Sequence, residues 1–194
     1  MKRVNICFIR HGQTDENSKG NVQGRKDFPL NEEGRKQAHQ VASYLINNNY
    51  HFDVIYSSPL SRAYETAKII QQDMNLDLDI HTEFCFIERD FGEYEGIKVS
   101  KEAFIPILND IGEGLEKSFE IQKRVYEGLI NIIQDNNYNN ILIVAHSHTI
   151  KALLTKLDPN YSFYGPMCNC AINNFIYENN KIIIKEYSID PNKK

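Results

Sequence analysis

Two short runs, Val4 to Ile9 and Ile141 to Ala145, are apolar almost without interruption. A strand with one wet face alternates apolar and polar residues, so a strand that does not alternate must be covered on both faces. Such strands belong to parallel sheets sandwiched between helices, and the chain between the two runs supplies candidate covers. Asn31 offers an N-cap with Glu32 and Glu33 behind it, and Ala38, Val41, Ala42, Leu45 and Ile46 recur at helical spacing until the run Asn47 to Asn49 ends the helix. Asp53 to Tyr56 reads as a second strand, broken by Ser57-Ser58-Pro59. Leu60 to Met74 reads as a second helix with Ala63, Ala67 and Ile70 on its stripe.

A third strand is expected over Leu78 to Phe86. The stretch Phe91 to Gly114, with Gly92, Gly96, Pro106, Gly112 and Gly114, reads as loop with one short helix. A long amphipathic helix is expected over Leu115 to Gln134, with Phe119, Val125, Leu129, Ile132 and Ile133 on its apolar face, and a further helix over Thr149 to Leu157. Cys170 to Tyr177 and Ile182 to Tyr187, joined at Glu178-Asn179-Asn180, read as a hairpin. Strands alternating with helices predict a layered α/β domain around a mostly parallel sheet, and no linker or repeat divides the 194 residues, so a single domain, 1–194, is expected.

A formal charge of −4 argues against a general nucleic-acid surface while allowing a small basic pocket for an anion. The four cysteines are scattered, and Cys7, Cys85, Cys168 and Cys170 read as reduced thiols of a reducing compartment. Cys168-Asn169-Cys170 has no second cluster of zinc spacing, so packing is favoured over a metal half-site. No run is long and apolar enough to span a bilayer and no signal-peptide pattern opens the chain, so a cytoplasmic location is expected.

In such sheets ligands bind beyond the carboxyl ends of the strands. Arg10-His11 ends the first strand, Arg62 starts the helix after the second, Glu88 follows the third, and His146 ends the run ILIVA. Each alone has an ordinary explanation as a surface charge, a loop carboxylate or a core histidine. Four of them at one sheet edge point to a shared site.

The segments FIRHGQTDEN, QGRKDFPLNEEG, SSPLSRAYETA, IERDFGEYEG and LIVAHSHT occur in this order. The set, with Asn17, Ser58-Pro59-Leu60, Arg62-Ala63, Thr66-Ala67, Gly92 and Glu95-Gly96, resembles the histidine phosphatase superfamily from Val4 to about Ile172. The resemblance implies a phosphoglycerate mutase-like α/β/α sandwich of three layers. It also implies that His11 is the nucleophile that accepts a phosphoryl group, and that Arg10, Arg62 and His146 complete the phosphate pocket, with Asn17 adding a polar contact. Gln23 and Gly24 match positions that border the substrate in the family, and Ser147, which is not the family's residue, is expected to add a hydroxyl at the rim of the site. Glu88, four residues before Gly92, would be the proton donor; Glu83 lacks that spacing.

These roles fit the chemistry. A phosphoryl group in flight spreads charge over three oxygens, and two guanidiniums meet it with forked donors of permanent charge. His11 must attack as neutral imidazole, whereas His146 beside a dianion is expected to favour its protonated form. Glu88 would protonate the leaving alkoxide and then activate water. Gly12 is expected to let the backbone turn sharply past the phosphate. One departure stands out, because glycine usually follows the second histidine in the family and Ser147 and His148 follow it here. His148 is expected as an exposed residue at the helix start, with contact to the substrate as the alternative.

Family mutases enclose the substrate with a long insertion between the acid and the second histidine, and the stretch Arg89 to Ala145 is short here. The expected activity is therefore a phosphomonoesterase acting on a small phosphorylated metabolite, with no metal and no cofactor, no nucleic-acid or membrane partner, and a homodimer left open. A cofactor-dependent phosphoglycerate mutase is the alternative within this chemistry. A catalytically idle phosphate-binding module is the alternative outside it.

Overall fold

The computed structural model describes residues 2–193. Its centre is a six-stranded sheet built from β1 (Val4–Arg10), β2 (Val54–Ser57), β3 (Ile80–Thr82), β4 (Asn140–Ala145), β5 (Ile172–Glu178) and β6 (Lys181–Ile189), in the order β3-β2-β4-β1-β5-β6. The first four strands run parallel, and β5 and β6 add an antiparallel hairpin at one edge. The hairpin turns at Asn179 and Asn180, both at positive φ (52° and 60°), as a two-residue turn matched to strand twist requires.

Two faces are covered, as the unbroken apolar runs demand. On one face Val4, Ile6 and Phe8 of β1 and Ile141 and Ile143 of β4 pack on α5 (Ser118–Asp135) and α6 (Ser147–Leu157). On the other, Cys7 and Ile9, with Leu142 and Val144, pack on α2 (Glu32–Asn47) and α3 (Ser61–Asp73). The result is an α/β/α sandwich. Asn31 caps α2 as expected, its side chain accepting from the Gly34 N–H at 2.8 Å.

Three elements depart from expectation. The third strand pairs only over Ile80–Thr82, because β2 ends at Ser57 and leaves nothing further to pair with; Phe84–Phe86 coils instead into a 3₁₀ turn. That turn sends Phe86 into the core, edge-on to Phe8 at 5.6 Å between ring centres, and aims the following residues at the end of the sheet. Helix α5 begins at Ser118, not Leu115, because Leu115 bridges to Phe91 in an extended segment. Phe119 is accordingly 64 % exposed, outside the apolar face of the helix.

A short helix, α1 (Asp15–Lys19), follows the first strand without having been expected. Its signal lay in Thr14-Asp15-Glu16-Asn17. The Thr14 hydroxyl accepts from the Asn17 N–H, the Asn17 side chain accepts from the Thr14 N–H, and Gly20 ends the helix at φ 68°. The one helix expected between Phe91 and Gly114 is α4 (Lys101–Leu108).

Candidate active site

Register brings the strand tips level. Arg10 pairs with Ala145 and Ser57 with Val144, so the residues that follow, His11, Ser58 and His146, meet at one end of the sheet. The His11 N–H donates to the Ala145 carbonyl at 3.0 Å and the Ser58 N–H to Val144 at 2.9 Å.

The His11 ring is 3 % exposed, and its Nδ1 lies 2.7 Å from the Gly12 carbonyl. A carbonyl only accepts, so Nδ1 carries the hydrogen and Nε2 keeps a free lone pair. Burial, and then the charges of Arg62 and Arg10, hold the imidazole well below its ordinary value of 6.5, so it is neutral at pH 7. Gly12 has a different reason from the one expected. It is not at positive φ; a Cβ there would stand 2.3 Å from the Gly34 carbonyl oxygen, and a Cβ on Gly34 would stand 2.1 Å from the Gln13 carbonyl oxygen. The two glycines let the histidine loop rest directly on the first turn of α2. The Gly12 N–H donates to Thr66 Oγ1 of α3 at 3.1 Å.

Arg62 is fully buried, and its guanidinium donates to the carbonyls of Gly24 at 2.8 Å and Lys26 at 3.0 Å. Burial lowers it to about 10, which leaves it a cation at pH 7. Its Nε and that of Arg10 are buried without partners. Gly24 itself does not line the cavity at His11. Its carbonyl orients Arg62, and a Cβ there would meet Glu95 Oε1 at 1.9 Å. His146 stands beside His11, ring centres 5.1 Å apart, with Nε2 2.7 Å from Ser58 Oγ and Nδ1 buried without a partner. Burial, followed by Arg62, His11 and Arg10, lowers its pKa well below 6.5, so the free site holds a neutral ring and the expected protonated form requires the dianion itself.

Glu88 is 4 % exposed and docks on the start of α6. Its Oε1 accepts from the N–H groups of Arg89 (2.9 Å) and Thr149 (3.1 Å), and its Oε2 from the N–H of His148 (3.3 Å). A cavity of about 130 Å³ is shared by Arg10, His11, Asn17, Gln23, Glu88 and Ser147, among others. Thus six of the nine expected site residues border one space, while Arg62 and His146 lie directly behind His11 and Gly24 lies behind Arg62. Within the cavity wall, Gln23 accepts from Thr14 Oγ1 at 2.9 Å and leaves its Nε2 buried without a partner. Asn17 Oδ1 is taken by the Thr14 N–H and by Asn169 Nδ2, both at 3.2 Å.

The family model of the histidine phosphatase superfamily (branch 1) matches residues 6–190. The chain belongs to the histidine phosphatase superfamily. The uncharacterized phosphatase PhoE of Bacillus subtilis (strain 168) is 34 % identical over 188 residues, covering 95 % of this chain and 94 % of the relative. Among solved structures, phosphoglycerate mutase from Bacillus anthracis str. Sterne superposes with a TM-score of 0.83 at 21 % identity, over 97 % of this chain and 93 % of the other. Phosphoserine phosphatase from Entamoeba histolytica, in complex with 3-phosphoglyceric acid, gives a TM-score of 0.76 at 26 % identity, over 96 % of this chain and 97 % of that one.

This histidine phosphatase departs from expectation at His148. The ring is 3 % exposed, packed on Phe163 and Phe91, because α6 begins at Ser147 and turns its first residues into the cavity. Sequence reasoning also missed the supports of Glu88. Arg124 of α5 donates to the carbonyls of Cys85 (2.8 Å) and Glu88 (3.2 Å) and pairs with Glu116 at 2.6 Å. Arg89 is fully buried and pairs with Asp110 at 2.6 Å. Neither arginine carried a sequence signal, since both partners are distant loop groups. Lys151 did carry one, as a cation inside the apolar run of α6, and it is 6 % exposed at the cavity. Among the described residues, no three His, Cys, Asp or Glu side chains group to hold a metal ion, and no helix is long and apolar enough to cross a membrane.

The three buried histidines set an acid limit on stability. Burial is the first cause lowering each of His11, His146 and His148 well below 6.5, so the unfolded chain takes up protons first as pH falls. The stability held by keeping the rings neutral is intact above about pH 6.5 and is lost below it, at about 1.4 kcal/mol per ring per pH unit until the folded value is reached. We expect Tm to drop steeply on acidification from pH 6.5 and His148→Phe to flatten that slope. Identical slopes in the two proteins would mean that the ring is not held neutral.

Proposed function

We propose that this chain is a phosphomonoesterase that hydrolyses a small phosphorylated metabolite through a phosphohistidine at His11, without metal. The observation that carries this reading is the tautomer of His11, whose Nδ1–H is tied to the Gly12 carbonyl while Nε2 is free in a cavity shared with Arg10 and Glu88. In the first step Nε2 attacks phosphorus as the ester P–O bond breaks, and Glu88 gives its proton to the departing alkoxide. Arg10 and Arg62 meet the charge on the phosphoryl oxygens, with His146, Asn17 and the free Nε2 of Gln23 as further donors. In the second step Glu88 takes a proton from water as the oxygen bonds to phosphorus and the N–P bond breaks, which returns neutral His11 and inorganic phosphate.

Water access favours hydrolysis over isomerisation. Val99 and Phe104, in and just before the short α4, border the cavity, which adjoins a cleft of about 510 Å³ lined in part by the same residues. A mutase must shield phosphohistidine while the bound monophosphate reorients, and it must be primed by a bisphosphate. Aryl phosphate hydrolysis should survive chelator in full. With 3-phosphoglycerate, with or without 2,3-bisphosphoglycerate, inorganic phosphate should form and little 2-phosphoglycerate. Activity lost to chelator and restored by a divalent ion would remove the metal-free mechanism, and rapid primer-dependent isomerisation would replace the phosphatase by the mutase.

A further inference from the structure

The ring of His146 has one hydrogen-bond partner among the described residues, and that partner decides which ring nitrogen carries the hydrogen. The partner is Ser58, which follows the end of β2 and is fully buried. Its backbone is fixed on both sides, the N–H donating to the Val144 carbonyl at 2.9 Å and the carbonyl accepting from Ser57 Oγ at 2.9 Å. The sheet therefore aims the side chain. Ser58 Oγ accepts from the Leu60 N–H at 3.3 Å and lies 2.7 Å from His146 Nε2.

His146 is neutral in the free site, so a single hydrogen sits on one nitrogen or the other. On Nε2 it would point at Ser58 Oγ. The serine hydrogen would then have no acceptor, since among the described residues Oγ meets only the Leu60 N–H and this ring, and Nδ1 would hold a buried lone pair with nothing to accept. With the hydrogen on Nδ1, Ser58 donates to Nε2 and both groups there are satisfied. Nδ1–H then joins Arg10 Nε and Arg62 Nε as a buried N–H without a partner. Arg10 precedes His11 and pairs with Ala145, the residue before His146, and the charges of Arg62 and Arg10 act on both imidazoles, so the three donors surround the nucleophile. Three buried donors that lack acceptors are costly by themselves, and they match the three oxygens of a phosphoryl group.

We propose that Ser58 is a positioning residue of the phosphoryl pocket, whose hydroxyl donates to His146 Nε2 and holds the ring as the tautomer that offers Nδ1–H to the transferring phosphoryl group. The use of that N–H rests on the phosphatase reading; the tautomer does not. Long-range proton–nitrogen correlation spectra of isotope-labelled protein at pH 7 read the tautomer directly, with the His146 signals identified by their loss in His146→Asn. The wild type should carry the hydrogen on Nδ1. Ser58→Ala removes the donor to Nε2, and a lone pair facing Arg62 and Arg10 then becomes the better arrangement. The hydrogen should move toward Nε2, and kcat/KM for para-nitrophenyl phosphate should fall roughly 10- to 100-fold, less than for the loss of a whole donor because the ring remains. Ser58→Cys, a weaker donor at the same place, should shift both readings in the same direction by less. A hydrogen on Nε2 in the wild type overturns the proposal. So does a Ser58→Ala protein that is less stable yet keeps the Nδ1–H tautomer, the mark of a serine that only packs, or one whose rate is unchanged when the tautomer has moved. If the wild type hydrolyses no phosphate ester while the tautomer answers to Ser58→Ala as stated, the phosphatase reading falls and the assignment of Ser58 to the ring stands.

Discussion

His11→Ala should lower turnover on the order of 10⁶-fold, the scale seen when a nucleophile is removed from a preorganised site. The loss is expected to be chemical. The backbone at this position is held from outside the side chain, because the His11 carbonyl accepts from Asn169 Nδ2 at 3.1 Å and from the Cys170 N–H at 3.3 Å. Arg10, Arg62 and Glu88 keep their own supports in the variant. Wild-type enzyme quenched with alkali during turnover should hold phosphate in an acid-labile, base-stable linkage, and His11→Ala should hold none. Near-normal turnover in the variant, or the same linkage mapped to another residue, would end the assignment of His11 as nucleophile.

Glu88→Gln is the second large effect, and its size should depend on the leaving group. The amide can keep an acceptor where Oε1 meets the Arg89 and Thr149 N–H groups, which leaves its NH₂ facing the His148 N–H, the longest of the contacts at 3.3 Å. The side chain therefore keeps its place while losing the capacity to pass a proton to a leaving group. An alkyl phosphate, whose alkoxide needs that proton, should slow roughly 10²- to 10⁴-fold; an aryl phosphate with an acidic phenol should slow less in its first step. Equal losses would mean that Glu88 acts only on water or only as a support. Glu83→Gln should change neither rate, since Glu83 stands at the start of the 3₁₀ turn and outside the cavity wall.

The strand tips were readable because unbroken apolar runs say where covered strands stop, and Arg10, His11 and His146 follow directly from the ends of β1 and β4. What escaped the sequence was decided by tertiary partners. The third strand shortened because its neighbour ended, and Phe119 left its helix face because Leu115 was claimed by Phe91. Likewise His148 has the polarity of a surface residue at a helix start, and only the orientation of α6 buries it among aromatic rings. The capping pattern at Thr14 to Asn17 was local and could have been read.

The contact between Gly12 and Gly34 implies that the placing of His11 depends on a residue of α2 outside the cavity wall. With no side chain between them, the histidine loop and the first turn of α2 behave as one machined joint whose tolerance is less than a methyl group. A single carbon added at position 34 would press on the Gln13 backbone and pass that displacement one peptide along to Gly12, and so to the imidazole. Position 34 is thus where α2 serves as the anvil for His11, and Gln37, one turn on, holds the same loop from its side chain by accepting from the Gln13 N–H.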